Sequence, residues 1–383
     1  MSVRPARVAR RARTCCPRGT LLATAAVVLT AAAVARGRGW RRQSESPAGS
    51  TTDVFARAVD RNFVARLGLE VAATLGLADH ILDGTHEINE LAAMCAVDSD
   101  ALMRLLRLLA LRGIVRVNED ARTVEMTPAG ALLASSDERL WRERLDQRGM
   151  GRRMDEAVFH GLLASIRTGA ASYEQVHGRG FWEDLLANDL VGSFQSHMAP
   201  HAIDLAPDVA ALPELATASS VVDLGGGEGA LLEGVLRAHP RLRGSLVELP
   251  EVTPFARQRF AGGELERRVS IIAGDLFEPG IEPHDVCLLS WVLHDWPDAE
   301  ASQILAAGAA ALAPGGRLVV IERPREASLE VLEADLRMLV FFGGRERSEY
   351  EWHTLFRDAG LRLVDATPVG SGPFVAYRLA KIR

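Results

Sequence analysis

The chain has 383 residues, 48% of them hydrophobic and 25% charged, which is the composition of a globular protein long enough for two or three domains. Its net charge of −6 argues against a general affinity for nucleic acid. The four cysteines, at positions 15, 16, 95 and 287, have neither the number nor the spacing of a disulfide framework or a metal site. We therefore expect a cytoplasmic protein without a bound metal.

Residues 1–52 differ in composition from the rest of the chain. Several arginines between positions 4 and 18 precede an apolar run from Leu21 to Ala35, and more arginines follow it at once. A basic region, a short apolar region and small residues at its end resemble a secretory signal. The run is shorter than the roughly 17–25 residues of a membrane span, and arginines directly behind it are unusual for an exported chain. We interpret residues 1–52 as a non-folded leader that ends in a polar linker, with a signal or membrane anchor as the alternative.

Residues 53–145 have the pattern of a winged-helix domain. Apolar residues recur at helical spacing from Val54 to Leu77, with interruptions at Gly68 and Gly76. Two shorter helices are predicted at 88–96 and 100–111, the second capped by Asp98 or Ser99. Two strand-like segments, 114–117 and 123–126, then flank a polar turn and predict a hairpin.

A winged helix often binds DNA, so a transcription regulator is the alternative from another functional class. The helix that would enter the DNA groove is rich in leucine and offers only Arg104, Arg107 and Arg112 to phosphates. The turn of the hairpin carries Glu119 and Asp120, whereas a DNA-reading surface should be basic. We therefore predict a buried protein–protein face in this domain and no nucleic-acid partner.

Residues 146–218 are predicted to form a helical connector that lines the substrate pocket. Segment 158–166 has one apolar face and should be buried along it, and a connector is expected from Pro207 onward. His197 and His201 are spaced i, i+4 and could hold a metal on one helix face, but no further ligand cluster accompanies them. Met198 can be a pocket wall or a plain core residue.

The segment Val221–Leu232 predicts a strand, a tight glycine-rich turn and a helix. Asp223 precedes glycines at positions 225, 226, 227 and 229, and Glu228 lies within the turn. A dinucleotide fingerprint has a different glycine spacing and brings a pyrophosphate to the start of the helix. Because two acids disfavour a phosphate here, a cationic or zwitterionic ligand fits better, such as the sulfonium and amino-acid part of S-adenosyl-L-methionine.

Residues 219–383 alternate strand and helix patterns, which predicts an α/β domain with a parallel sheet. A closing hairpin is expected from 361–367 and 374–379. The predicted strands are 220–224, 244–248, 269–273, 285–290 and 317–322, and the predicted helices are 230–238, 253–260 and 298–312.

Ligands bind at the carboxyl ends of such strands, so the residues there are the candidate site. Glu248 ends the second strand and can accept both ribose hydroxyls. After the third strand, Asp275 can accept the adenine amino group while Leu276 and Phe277 enclose the ring.

The segment after the fourth strand, from Ser290 to Asp298, contains the candidate base. His294 has an unperturbed pKa near 6.5, which suits proton removal at neutral pH. Glu322 at the end of the fifth strand and Glu346 in the segment 343–347 could fix its tautomer and raise its basicity. Each of these residues can also be an ordinary loop or capping residue.

Taken as a set, these motifs resemble the plant-type family of S-adenosylmethionine-dependent O-methyltransferases, in its actinobacterial branch that modifies polyketides and related natural products. The resemblance covers residues 53–383. The motifs that carry it are Asp-Leu-Gly-Gly-Gly-Glu-Gly from 223, Glu-Leu-Pro from 248, Gly-Asp-Leu-Phe from 274, Leu-His-Asp-Trp from 293 and Gly-Gly-Arg-Glu-Arg from 343.

The resemblance implies a Rossmann-like class I methyltransferase domain at 219–383 and a winged-helix dimerisation domain at 53–145. It also implies a homodimer in which the partner chain contributes to the substrate pocket. By motif, Gly225 would contact the methionine part of the cofactor, Glu248 the ribose, and Asp275, Leu276 and Phe277 the adenine. His294 would be the general base, bracketed by Glu322 and Glu346.

Two positions depart from the family pattern. The ribose acid is usually Asp, and here it is Glu248. Plant members commonly have Lys where this chain has Ser290, and the shorter serine side chain shortens a cofactor contact there. We predict methyl transfer to a hydroxyl of an aromatic or polyketide-type molecule, in a pocket around Phe159, Met198, Trp291 and residues 338–342. Because some relatives of this fold catalyse hydroxylation or decarboxylation, altered chemistry is the alternative.

Overall fold

The computed structural model describes residues 63–382, which comprise an amino-terminal helical region, a set of connecting helices and a mixed seven-stranded sheet. The predicted leader and the beginning of the first predicted helix lie outside the described residues. Within this part of the chain, no helix combines the length and apolar character that crossing a membrane requires.

The amino-terminal region has the helices and the hairpin that its sequence pattern predicts. Gly76 separates the first two helices with a left-handed backbone (φ +65°). The Asp98 side chain caps the fourth helix by accepting hydrogen bonds from the backbone N–H groups of Asp100 and Ala101. The elements are α1 (Phe63–Thr74), α2 (Leu77–Leu82), α3 (Ile88–Met94), α4 (Ser99–Leu111), β1 (Val115–Asn118) and β2 (Thr123–Met126).

The connecting region is helical, as predicted, but its last long helix extends further than expected. It includes Pro200 and Pro207 and ends only at Ala210, because Leu205 and Val209 are buried against the following domain and hold the last turns in place. The elements are α5 (Trp141–Leu145), α6 (Met150–Thr168), α7 (Tyr173–His177), α8 (Phe181–Ala187), α9 (Val191–Ala210) and α10 (Pro213–Thr217).

Helix α6 buries a different face from the one that we predicted. Its small residues Ala157, Gly161 and Ser165 are buried, whereas Phe159 and Leu163 are 75% and 61% exposed. Helix α6 packs so closely on the segment that contains Ser172 that a Cβ on Gly161 would lie 2.4 Å from the Ser172 hydroxyl oxygen. Phe159 is therefore on the surface of the single chain, and its place in the acceptor pocket stays a prediction.

The sheet has the strand order β5-β4-β3-β6-β7-β9-β8. The first five strands in this order are parallel, and β9 runs antiparallel between β7 and β8. The strands are β3 (Ser220–Leu224), β4 (Arg243–Glu248), β5 (Val269–Ala273), β6 (His284–Ser290), β7 (Leu312–Glu322), β8 (Leu361–Val369) and β9 (Phe374–Lys381). All predicted strands are present, and β7 begins five residues earlier than predicted.

Helices cover both faces of the sheet, and two of them were not predicted from the sequence. These are α14 (Leu329–Phe342) and α15 (Glu349–Asp358), which flank the segment 343–347. The others are α11 (Ala230–Ala238), α12 (Thr253–Phe260) and α13 (Asp298–Ala310). Two buried clusters of aliphatic and aromatic residues pack on opposite faces of the sheet and hold the carboxyl ends of β3, β4, β6 and β7 along one edge.

Candidate functional site

The glycine-rich turn after β3 has a backbone that only glycine accommodates well. Gly225, Gly227 and Gly229 have φ values of +72°, +58° and +88°. A Cβ on Gly225 would lie 2.9 Å from Val292 Cγ2, and one on Gly227 would lie 2.8 Å from the side-chain oxygen of Gln195. The turn therefore contacts both the loop after β6 and helix α9.

Two buried acids lie beneath this turn. Asp223 is 1% exposed, and its two carboxylate oxygens have no hydrogen-bond partner among residues 63–382. Burial, followed by the nearby Glu248, raises the pKa of Asp223 to about 7. Glu248 accepts hydrogen bonds from the backbone N–H groups of Gly227 (3.0 Å) and Leu249 (2.7 Å). A buried carboxylate without a partner indicates a ligand or water that donates to it, and two acids would repel a phosphate.

The segment after β5 lies beside the same turn. Leu276 is close to it, because a Cβ on Gly225 would be 3.6 Å from the Leu276 methyl carbons. Phe277 packs edge-to-face on Trp296 with 5.0 Å between ring centroids. Asp275 is exposed and accepts a hydrogen bond from the Phe277 N–H, which leaves its second oxygen for a ligand. The structure thus brings Leu276 to the turn, while the cofactor contacts of Asp275 and Phe277 stay predictions.

Helix α9 contributes a residue that the sequence analysis missed. The buried Gln195 side chain accepts a hydrogen bond from the backbone N–H of Glu228 (3.1 Å) and so holds the turn from outside the sheet. Met198 and His201 follow at intervals of three residues, each about 60° further around the helix than the one before. A glutamine within a helix has no motif spacing, so no signal in the sequence pointed to it.

The His294 side chain is buried and held by a carboxylate. Its Nδ1 lies 3.0 Å from Glu346 Oε1, and the Arg323 guanidinium donates to that same oxygen at 2.5 Å. The other ring nitrogen, Nε2, lies 3.4 Å from Asp295 Oδ1. With Nδ1–H donating to Glu346, a neutral His294 has its lone pair at Nε2.

Glu322 positions the loop that carries His294 through its backbone. Its Oε1 accepts hydrogen bonds from the N–H groups of Val292 (3.1 Å) and Leu293 (2.8 Å). Its Oε2 is buried and has no partner among the described residues. We predicted that Glu322 and Glu346 both bracket the histidine. In the structure Glu346 accepts a hydrogen bond from the imidazole ring, whereas Glu322 accepts from the backbone of the loop.

The charges around His294 favour its protonated form. Burial alone would lower the pKa of His294, but the carboxylates of Glu322, Asp295 and Glu346 outweigh burial and raise it to about 9. Burial also raises the pKa of Asp295 to about 7. The pocket therefore stabilises a positive charge on the imidazole ring, as a site that collects a proton must.

The segment 343–347 closes over the loop of His294. Arg347 is buried and donates to the carbonyl oxygens of Leu293 (2.9 Å) and Trp296 (2.7 Å). A Cβ on Gly344 would lie 2.2 Å from the His294 carbonyl oxygen, so no larger residue fits there without a shift of the backbone. These contacts fix the position of His294 from the side opposite Glu322.

Trp291 connects this loop to helix α9. It has a left-handed backbone (φ +57°) directly after Ser290, and its ring lies 5.5 Å from His294 and 4.6 Å from His201 between centroids. The Arg323 guanidinium lies 4.7 Å from the centre of the Trp291 ring. The buried indole N–H has no partner among residues 63–382, so it can donate to a ligand.

The same residues could in principle approach a metal. His294, Glu322 and Glu346 each have one potential ligand atom within 4.8 Å of the others. However, Glu346 is already ion-paired with Arg323, whose charge opposes a cation at this point. The absence of a metal stays a prediction.

Sequence reasoning missed four residues of the site: Gln195, Asp295, Arg323 and Arg347. Asp295 and Arg347 lie inside quoted motifs and Arg323 follows Glu322, so proximity to motif residues was the only available signal. Their partners are distant in sequence, which no spacing rule reveals.

Comparisons with known proteins identify the relatives of this chain. A family model for an O-methyltransferase domain matches residues 159–362, and one for an O-methyltransferase dimerisation domain matches residues 61–136. The aclacinomycin 10-hydroxylase of Streptomyces purpurascens is 40% identical over 81% of this chain and 84% of its own length. The mitomycin biosynthesis 6-O-methyltransferase of Streptomyces lavendulae is 35% identical, with coverages of 82% and 90%.

Among solved structures, the chain resembles an O-methyltransferase from neocarzinostatin biosynthesis, which was determined in complex with S-adenosylmethionine and 2-hydroxy-5-methyl naphthoic acid. The two chains are 34% identical, the TM-score is 0.76, and the match covers 85% of this chain and 98% of the other.

The substitution Glu346→Gln should lower the pKa of His294 by about one unit or more, because it removes a negative charge while keeping a hydrogen-bond acceptor. The measurement is an NMR titration of the histidine ring signals, with His294→Ala to assign the resonance. Glu333→Gln, which neutralises an exposed acid on α14, is the control. An unchanged pKa in Glu346→Gln would show that Glu346 does not stabilise the imidazolium.

Proposed function

Because the chain belongs to the plant-type family of S-adenosylmethionine-dependent O-methyltransferases, in the branch found in actinobacterial natural-product biosynthesis, we propose that it methylates a hydroxyl group of an aromatic or polyketide-type small molecule. One observation carries this proposal: the glycine-rich turn and the loop of the candidate base touch. A Cβ on Gly225 would collide with Val292, which lies two residues before His294 in the chain. A cofactor held by the turn would thus face the base.

The residues at the sheet edge fit S-adenosyl-L-methionine. The buried carboxylate of Asp223 without a partner suits a ligand with positive charge and N–H donors, and the Cβ-free turn leaves room for it. When bound, this cofactor supplies an electrophilic methyl group on a positively charged sulfur. Gly225 would hold its methionine part and Glu248 its ribose. Asp275, Leu276 and Phe277 would hold the adenine, with Ser290 at the end of β6 as a shorter contact.

His294 is the proposed general base. Its Nε2 would take the proton of the acceptor hydroxyl from the neutral form of the ring, which a pKa of about 9 makes the minor form at pH 7, while Nδ1–H stays bonded to Glu346. The surrounding carboxylates stabilise the imidazolium that results, and Glu322 keeps the loop in place through its two backbone contacts. Much of the remaining acceleration would come from orientation of the acceptor, because effective molarities of well-oriented groups are large.

The acceptor pocket should be formed by Trp291 and by side chains of α9 and α14. Met198 shares a face of α9 with His201, which packs on Trp291. At the end of α14, Phe342 stacks on Trp182 with 5.8 Å between ring centroids. Flat aromatic walls with one unpaired indole N–H suit a planar ring that bears polar substituents.

A second candidate reaction is hydroxylation. The observation that favours it is the 40% identity to an aclacinomycin 10-hydroxylase. Residues that hold the cofactor serve either reaction, so the two differ only in what is added to the acceptor. A methyltransferase replaces the hydroxyl proton with a methyl group, whereas a hydroxylase adds one oxygen atom from molecular oxygen while a reductant converts the other atom to water.

We further propose that the chain forms a homodimer through an apolar surface that continues from its dimerisation domain. Phe63 stacks on the exposed Phe159 of α6, with ring centroids 6.4 Å apart. Helix α6 also exposes Leu163 and Ile166, by 61% and 60%. Helix α14, which packs on α6, exposes Leu329 by 72%. Such a continuous apolar surface is unusual on a monomer.

The reaction is tested with methyl-labelled S-adenosylmethionine, 2-hydroxy-5-methyl naphthoic acid and a panel of phenolic polyketides, read by product mass. We expect the gain of one labelled methyl, with a rate about 10²–10⁴-fold lower in His294→Ala because the base is lost. His353→Ala, at an exposed histidine of α15, is the control. A gain of one oxygen would establish the hydroxylase instead, and an unchanged rate in His294→Ala would exclude it as the base.

The cofactor assignment is tested by titration calorimetry with S-adenosylhomocysteine. Asp275→Ala should weaken binding about 10-fold, because one hydrogen bond to a carboxylate is lost. Glu278→Ala removes a neighbouring exposed acid and should leave the affinity unchanged. Equal affinities of Asp275→Ala and the wild type would show that Asp275 does not contact the cofactor.

The dimer is tested by sedimentation equilibrium. The double substitution Leu163→Glu and Ile166→Glu should convert a wild-type dimer to a monomer, because four charges would be buried at a symmetric interface. Tyr350→Glu, at a residue of α15 that is 80% exposed, is the control and should stay dimeric. A dimer that survives the double substitution would place the interface elsewhere.

A further inference from the structure

A cavity of about 490 Å³ lies between the amino-terminal region and the connecting helices, away from the glycine-rich turn. Its volume is within the range of small-molecule sites. Leucine, isoleucine, alanine and methionine side chains form the apolar part of the wall, and Trp141 lies at one side. Three arginines, one aspartate and one histidine add polar groups to this apolar space: Arg66, Arg144, Arg337, Asp155 and His197.

The three arginines of this cavity differ in their partners. Arg66 is paired with Glu70 at 3.1 Å and with Asp155, and Arg337 lies 3.6 Å from the other oxygen of Asp155. Arg144 forms no ion pair with any acid within residues 63–382 and lies 4.5 Å above the Trp141 ring. Burial lowers the pKa of its guanidinium. A partly buried cation without a counter-ion is costly unless a ligand pairs with it.

The cavity is connected to the candidate base through helix α9. His197 lines the cavity, and His201, one helical turn later, packs on Trp291, which in turn lies against His294. The two histidines are about 6 Å apart along the helix axis. A molecule that binds in the cavity and reaches His294 would therefore need several fused rings, with its two polar ends far apart.

Arginine charges act on both histidines of this path, while Asp155 acts on His197 in the opposite direction, as do Glu330 and Asp204 on His201. Burial lowers the pKa of both His197 and His201, and the positive charge of Arg144 lowers both further. Arg323 acts on His201 in the same direction. The His197 Nδ1 lies 2.9 Å from the Ser193 carbonyl oxygen, to which it donates. The Arg144 carbonyl oxygen is a second backbone partner of the His197 ring, so this ring has no N–H group free for an anion and the Arg144 guanidinium supplies the donors.

We propose that Arg144 binds a carboxylate of the methyl acceptor, so that the natural acceptor is a polycyclic aromatic hydroxy acid whose hydroxyl lies at His294. This inference rests on the methyl transfer proposed above and names the acceptor class and a specificity-determining residue. A guanidinium with its face on an indole ring presents its N–H groups in one plane, which matches a carboxylate. A phosphate ester would call for further free cations, whereas Arg66 and Arg337 are already paired with Asp155.

The test compares acids with their uncharged esters in the full-length protein. The probes are two hydroxyanthraquinone carboxylic acids that carry the hydroxyl and the carboxylate on opposite outer rings, each beside its methyl ester. For at least one pair, the wild type should prefer the acid by about 10- to 100-fold in kcat/KM, as expected for hydrogen bonds between charged groups. Arg144→Met should abolish this preference while ester turnover stays within about twofold, and Arg144→Lys should be intermediate.

Arg66→Met is the matched control, because it removes an arginine of the same cavity that is already paired. It should keep the acid preference. A purely structural role of Arg144 would lower the rates for acid and ester equally, and that outcome would overturn the proposal. An acid preference that persists in Arg144→Met would also overturn it.

Binding separates this proposal from the proposed reaction. The same pairs are titrated by calorimetry into the complex with S-adenosylhomocysteine. Tighter binding of the acid that is lost in Arg144→Met supports the carboxylate site even if no methyl is transferred, in which case only the reaction assignment fails. Equal binding of acid and ester to the wild type, across both pairs, contradicts the carboxylate site whatever the reaction is.

Discussion

A buried carboxylate holds the N–H groups of the loop after β6, and a buried guanidinium holds its carbonyl groups. The rest of the site depends on this arrangement. Glu322 accepts from the backbone N–H groups at the start of the loop, and Arg347 donates to the carbonyl oxygens at its end. Side chains of opposite charge thus satisfy the backbone hydrogen-bonding groups at the two ends of one short segment. Because all of these groups are buried, each contact is stronger than it would be in water, and leaving one unmade would be costly.

This arrangement gives His294 a defined chemical environment. The loop places its ring beside Glu346, which also accepts from Arg323, so Nδ1 is committed to Glu346 while Nε2 lies 3.4 Å from Asp295 Oδ1. Three carboxylates around one imidazole outweigh its burial and favour the protonated form. The same burial leaves Asp223 with two unpaired oxygens beneath the glycine-rich turn. The sheet edge therefore favours a positively charged ligand near Asp223 and a proton on the His294 ring.

The connecting helices link this edge to the amino-terminal region. Helix α9 contacts the turn through Gln195 and Trp291 through His201, and it reaches the cavity through His197. A single helix thus contacts the glycine-rich turn, the Trp291 ring and the cavity that contains Arg144. An enzyme of this architecture can change its acceptor by substitutions on α9 and in the cavity while the sheet edge stays the same.

The sequence by itself determined the local elements and the motif residues of this protein. Hydrophobic periodicity and glycine positions predicted the strands, most helices and the Asp98 cap, because these depend on neighbours within a few residues. Strand ends also predicted that Glu248, Ser290, His294 and Glu322 share one edge. Only the tertiary structure decided that Glu346 bonds the imidazole while Glu322 bonds the backbone, that α6 exposes Phe159, and that Arg144 is left without an acid. Each of these depends on side chains distant in sequence, whose distances and burial are set by packing, and no spacing rule encodes them.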